Sequence, residues 1–184
     1  AVLIMRHLAE LSKQDKEILK TFEEDYKIQF YLQSAGPDTI IKLDHDKNNQ
    51  LYYRLPNHDI TIHFSASDFT QVNLEINQAM INRAIDLLQL NEEDVVLDLF
   101  CGLGNFTLTV ARHCHTVTGI EGVYSLVERA KSNAKLNGIS NAEFIMMDLA
   151  QENLQAEFMH KHYNKLLLDP ARSGADKVLE QLPL

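Results

Sequence analysis

The chain has 184 residues, 45% of them hydrophobic and 23% charged, with a net charge of −9. That is ordinary for a globular protein of one domain or one and a part, and no apolar run approaches the ~18 residues of a membrane span. The acidic balance has no basic block or tail, which argues against tight nonspecific nucleic-acid binding through phosphate contacts.

The start, Ala1-Val2-Leu3-Ile4-Met5, is too short for a signal peptide and has no basic region before it, so it reads as a strand. Position 1 is not Met, and the expectation is a piece of a longer protein. Ser12-Lys13-Gln14-Asp15 resembles a capping box, and Ile18, Leu19 and Phe22 form a short apolar stripe, so residues 12–25 are predicted as a helix. Strand-like runs follow at residues 26–32, 39–43, 51–55 and 60–64, separated by turn residues at 36–38, 44–49 and 56–57. The first segment, residues 1–64, is thus predicted as a small α+β unit with an antiparallel sheet.

The second segment is predicted over residues 65–184. Val72, Ile76, Ala79, Met80, Ala84, Leu87 and Leu88 recur at helical spacing and predict a long amphipathic helix over about 72–90. Strands and helices then alternate: strand 95–100, helix 105–113, strand 116–121, helix 124–137 ending at Gly138, strand 143–147, a helix near 152–160, strand 165–169 and a final helix from about Gly174. Such alternation predicts a parallel sheet with helices on both faces.

The run Asp98-Leu99-Phe100-Cys101-Gly102-Leu103-Gly104-Asn105 joins the first of these strands to a helix. Glycines there let backbone approach a ligand closely, and the following helix aims its free N–H groups at the turn. Glu121 closes the next strand, where an acid can hold ribose hydroxyls. Asp148 closes the third and can accept from an adenine amino group; Asp169, in Leu168-Asp169-Pro170-Ala171-Arg172, closes the fourth. A nicotinamide site competes with an S-adenosylmethionine site, but Thr107 stands where a third glycine would be and Asp98 precedes the glycines, which favours the latter. A ligand-free strand–helix turn is the bland alternative. Asp98 is expected at a strand end near the methionine part of the ligand. Cys101 reads as a small packing residue rather than a nucleophile. The pairs His113/His115 and His160/His162 read as surface residues without further ligands. No zinc ribbon is available, because Cys101 and Cys114 form no CxxC pair, and a reduced, cytoplasmic state is the default.

Together, Phe69-Thr70-Gln71-Val72-Asn73, the loop 98–106, Glu121-Gly122-Val123, Asn133-Ala134-Lys135-Leu136-Asn137-Gly138 and Leu168-Asp169-Pro170-Ala171-Arg172-Ser173-Gly174 resemble the RNA 5-methyluridine methyltransferases. Among them the chain is most similar to the branch acting on 23S ribosomal RNA. The resemblance implies a class I S-adenosylmethionine-dependent methyltransferase fold, Rossmann-like and truncated at its C-terminal side, after part of a central domain. It also implies a reaction: a cysteine thiolate adds to C6 of a uracil, C5 takes the methyl group, and a base removes the C5 proton. Mapped onto this sequence, the family's cofactor residues are Gln71, Phe100, Gly102, Asn105, Glu121, Asp148 and Asp169. Phe69, Gln71 and Asp169 map to the uracil pocket. The nucleophile and base of the family lie in motifs expected beyond Leu184, so no catalytic residue is assigned within the chain and it is expected to be inactive alone. A 4Fe-4S cluster is implied only for a full-length protein of this type, and no metal ligand is assigned here. Methylation of transfer RNA or another ribosomal site, or a non-catalytic cofactor- or RNA-binding module, are the other readings.

Overall fold

The computed structural model describes residues 2–44, 50–151, 157–172 and 174–182. The chain divides into two compact units: Ala1–Leu51 with Phe64–Thr70, and Tyr52–His63 with Gln71–Leu184.

In the first unit, β1 (Val2–Arg6), α1 (Lys13–Tyr26), β2 (Gln29–Gln33) and β3 (Ile40–Lys42) follow in order. α1 starts as its sequence predicts: Ser12 caps it, accepting from the Asp15 N–H, while the Asp15 side chain accepts from the Ser12 N–H. Because a helix separates β1 from β2, the chain returns to the same end and the pair is parallel; only β2–β3 is antiparallel. The sheet is therefore mixed, and β1 finds its partner in the strand after the helix. Phe30, Leu32 and Leu43 form the core, with Leu19 packed on it, while Ile18 and Phe22 of the predicted stripe remain exposed. Of the predicted turn at 44–49, residues 45–49 lie outside the described residues.

The second unit carries the two-stranded sheet of β4 (Leu51–Leu55) and β5 (Ile60–Phe64), then α2 (Leu74–Leu88), β6 (Val95–Leu99), α3 (Thr107–Ala111), β7 (Thr116–Glu121), α4 (Tyr124–Leu136), β8 (Ala142–Met146), β9 (Lys165–Leu168) and α5 (Asp176–Leu179). β6 to β9 form one sheet in the order β8-β7-β6-β9, every neighbour pair parallel. Period-2 alternation on β6 sends Val96 to the face covered by α2 and α3, and Leu97 and Leu99 to the opposite face with Phe158 and Val178. Both faces are thus covered, as a parallel sheet requires.

The helix predicted over 72–90 forms, but its phase differs. Asn77 and Ile81 are buried and Ala84, Ile85 and Leu88 pack inward, while Val72, Ile76, Met80 and Leu87 face outward. Apolar residues lie on both sides of this helix, so periodicity alone did not choose the face. Of the helix predicted near 152–160, residues 152–156 lie outside the described residues and 157–160 form a single 3-10 turn. Among the described residues, no helix is long and apolar enough to cross a membrane.

Candidate cofactor site

The order β8-β7-β6-β9 reverses direction at β6: β7 and β8 extend to one side and β9 returns to the other. In open parallel sheets, ligands bind at the carboxyl ends of the strands beside such a reversal. Adjacent strands are about 4.8 Å apart. The register aligns Leu99 with Ile120 and Leu168, and Glu121 with Met146. Asp148, Glu121, the loop after Leu99 and Asp169 consequently follow the strand ends along one edge of the sheet.

The loop after β6 is built from left-handed backbone. Phe100, Gly102 and Gly104 have φ of 66°, 54° and 87°. A bulky residue at positive φ is an outlier that surrounding contacts have to hold in place. Several contacts do so. The Cys101 N–H extends the ladder to Ile120 at 3.0 Å. Glu121 Oε2 accepts from the Gly102 N–H at 3.1 Å and its Oε1 from the Val123 N–H at 3.0 Å. Asn105 Oδ1 accepts from the Tyr53 hydroxyl at 2.9 Å and from Asn77 Nδ2 at 3.0 Å, and Asn105 Nδ2 donates back to Asn77 Oδ1 at 2.9 Å.

Asp98 is 1% exposed, beneath the loop rather than at an open strand end, because its face of β6 is covered by α3. The Thr107 hydroxyl donates to its Oδ2 at 2.5 Å. Thr107, the departure from a third glycine, is thus the partner that ties the helix start to the strand. Cys101 is buried against Gly119, where a Cβ would come within 2.9 Å of its Sγ. Burial, and then the negative charges of Asp98 and Glu121, push its thiol well above the ordinary range. That is the environment of a packing cysteine.

The remaining predicted positions fall as follows. Asp148 is exposed two residues past β8, one oxygen accepting from the Ala150 N–H at 3.0 Å. Asp169 is exposed directly after β9, its N–H 3.5 Å from the Leu99 carbonyl. Gln71 is half-buried ahead of Asn73, the N-cap of α2. Phe69 is 79% exposed and belongs to the first unit. Ser173 lies outside the described residues. Sequence reasoning did not single out Tyr53 or Asn77 and gave Asn133 no contact role within its motif, because their partners are distant in sequence. His113 and His115, read as surface residues, are exposed, and a His113 ring nitrogen lies 3.5 Å from one of His58. Among the described residues, no three His, Cys, Asp or Glu side chains are grouped so as to hold a metal ion.

A model of the tRNA (uracil-5-)-methyltransferase family matches residues 1–182. The chain belongs to this family. Its curated relatives include 23S rRNA (uracil(1939)-C(5))-methyltransferases RlmD from Vesicomyosocius okutanii, 49% identical over 98% of this chain and 41% of the relative, and from Stenotrophomonas maltophilia, 48% identical over 100% and 41%. The chain therefore spans about 41% of the length of these family members. Among solved structures it is similar to the Pyrococcus abyssi tRNA (uracil-54, C5)-methyltransferase, crystallised with S-adenosyl-L-homocysteine. The TM-score is 0.69 at 17% identity, over 98% of this chain and 42% of that one. Trm5b from the same organism aligns with TM-score 0.56 at 20% identity, over 82% and 47%. At such identities the likeness concerns the fold, which this family member shares.

Proposed function

We propose that this chain supplies the cofactor-binding part of an enzyme that methylates C5 of a uridine in 23S ribosomal RNA, with S-adenosylmethionine as methyl donor. The observation that carries the reading is the Glu121 carboxylate seated on the Gly102 N–H at the sheet reversal. Each oxygen of Glu121 takes one backbone N–H, and a carboxylate has about four acceptor positions, so two ribose hydroxyls still find acceptors there. A Cβ built on Gly102 meets nothing within 4 Å, so open space lies over the loop beside that carboxylate. These residues fit an adenosyl group. Asp148, one strand further along, suits the adenine amino group, and Asp169 with Gln71 suits the uracil side of the site.

When bound, S-adenosylmethionine supplies an electrophilic methyl group. This chain's residues bind and orient that group: Phe100, Gly102 and Asn105 shape the loop, while Glu121 and Asp148 fix ribose and adenine. Both cysteines are buried, and burial raises both thiols, so neither is proposed as the nucleophile. The 23S substrate is favoured over transfer RNA because the ribosomal-RNA relatives are 49% identical and the transfer-RNA enzyme 17%. The setting proposed is the cytoplasm, where the RNA is present and thiols stay reduced.

Isothermal calorimetry with S-adenosylhomocysteine tests the reading. Saturable binding is expected, and Glu121→Ala should weaken it at least tenfold, the equivalent of about 1.4 kcal/mol for lost hydrogen bonds to a charged acceptor. No heat at high micromolar ligand would overturn the cofactor assignment. Methyl transfer to a uridine-containing transcript by these 184 residues alone would overturn the division of labour.

A further inference from the structure

We propose that Asn133 is a positioning residue that braces the glycine loop against the β4–β5 ribbon, so that loop geometry and ribbon order depend on each other. The inference takes the loop to be the cofactor segment of the reading above. Asn133 sits on α4 with 0% exposure. Its Oδ1 accepts from the His63 N–H at 2.9 Å, and its Nδ2 donates to the His63 carbonyl at 3.1 Å and to the Leu103 carbonyl at 3.3 Å. One turn further on, Asn137 repeats the pattern. Its Oδ1 accepts from the Thr61 N–H at 2.8 Å, and its Nδ2 donates to the Thr61 carbonyl at 2.8 Å.

The geometry follows from the two periods. Four residues of helix advance about 6 Å, and two residues of strand about 6.7 Å. Asparagines at i on α4 and at i+4, its C-cap, therefore meet alternate residues of β5, each offering the donor and acceptor that a neighbouring strand would offer. The two amides differ in where the second Nδ2 proton goes. In Asn137 it goes to the Asn133 carbonyl at 2.7 Å and stays within the helix; in Asn133 it goes to Leu103 in the loop. Of these two amides, Asn133 is the one that joins ribbon, α4 and loop in one side chain.

The loop has use for such a brace. Leu103 lies between Gly102 and Gly104, both at positive φ, where the backbone has the most freedom to move. Glu121 holds the residue before Leu103, and Asn133 holds Leu103 itself. Tyr53 of β4 holds Asn105, a second tie between the same ribbon and the same loop. Removing the Asn133 donors would take a partner from the Leu103 carbonyl in a buried place and from the His63 carbonyl in a part-buried one, a cost that moving the loop toward water relieves.

Asn133→Asp keeps the acceptor and deletes both donors; Asn137→Asp does the same to the ribbon without touching the loop. Backbone hydrogen exchange on the ligand-free chain separates them. Asn133→Asp should speed exchange at Thr61 and His63 and also, by about tenfold, at Gly102 and Gly104. Asn137→Asp should act on the ribbon alone. Lowering the pH protonates the introduced carboxyl, returns one donor, and should restore part of the loop's protection. Unchanged exchange at Gly102 and Gly104 in Asn133→Asp, or equal loss in both variants, would overturn the brace. Should Asn133→Asp not fold, Asn133→Ala removes the same donors without adding a charge and should speed exchange at Gly102 and Gly104; no change there would equally overturn it. S-adenosylhomocysteine affinity then reads the consequence: Asn133→Asp should bind about tenfold more weakly and Asn137→Asp unchanged. If the unaltered chain binds none, the cofactor reading fails, while the brace stands or falls on the exchange.

Discussion

Burial raises the Asp98 carboxyl from its usual 3.8 to about 7; the Thr107 hydroxyl opposes this, and the negative charges of Asp169 and Glu121 add to it. The folded state therefore holds a proton that the unfolded chain has already released. Between about 3.8 and about 7 stability falls as pH rises, and above the folded value the penalty is constant. Asp98→Asn keeps an acceptor for Thr107 and removes the titration. The urea midpoint of the unaltered chain relative to Asp98→Asn should fall across pH 4–7 and level off above it. A difference independent of pH over that range would mean that Asp98 is charged throughout. As a letter in the sequence, Asp98 marked the loop; that it lies beneath the loop, held by Thr107, follows from which face of β6 the helix covers.

At the scale of elements, the glycine loop works because β7 is cut away to receive it. A Cβ on Gly119 would lie 2.9 Å from Cys101 Sγ and 3.1 Å from Cys101 Cβ and Phe144 Cδ1. Gly119→Ala should cost about 1–3 kcal/mol by overpacking, measured by denaturant titration, and should weaken S-adenosylhomocysteine binding as the loop is displaced. Nothing local in the sequence marks this role, because the atoms that need the space belong to Cys101 and Phe144. Strong local signals were legible: the Ser12–Asp15 capping box, the strands at 51–55, 60–64 and 116–121, and Gly138, which ends α4 at φ 64°. The inward face of α2 was not legible, since Val72, Ile76 and Met80 offer as good a stripe as Ile81, Ala84, Ile85 and Leu88. Packing against β6 decided between them.

Across the whole molecule the two units are built differently. The first gathers a core around Phe30, Leu32 and Leu43; the second has two clusters on opposite faces of a parallel sheet. Backbone amides of β1 to β3 should exchange through smaller, lower-energy openings than those of β6 and β7, read by native-state hydrogen exchange; equal opening energies would mean one cooperative unit. The sequence by itself determined the alternation of strands and helices, and it marked Glu121, Asp148 and Asp169 as strand-end acids, because period, glycines and strand-closing residues are local properties of the chain. The tertiary structure alone decided the parallel β1–β2 pair, the burial of Asp98 and the fit of Cys101 into Gly119. It alone also brought the amides of Asn77, Asn133 and Asn137 to the loop and ribbon. Those contacts join residues up to 76 positions apart, and no local pattern records which distant backbone a buried amide will find.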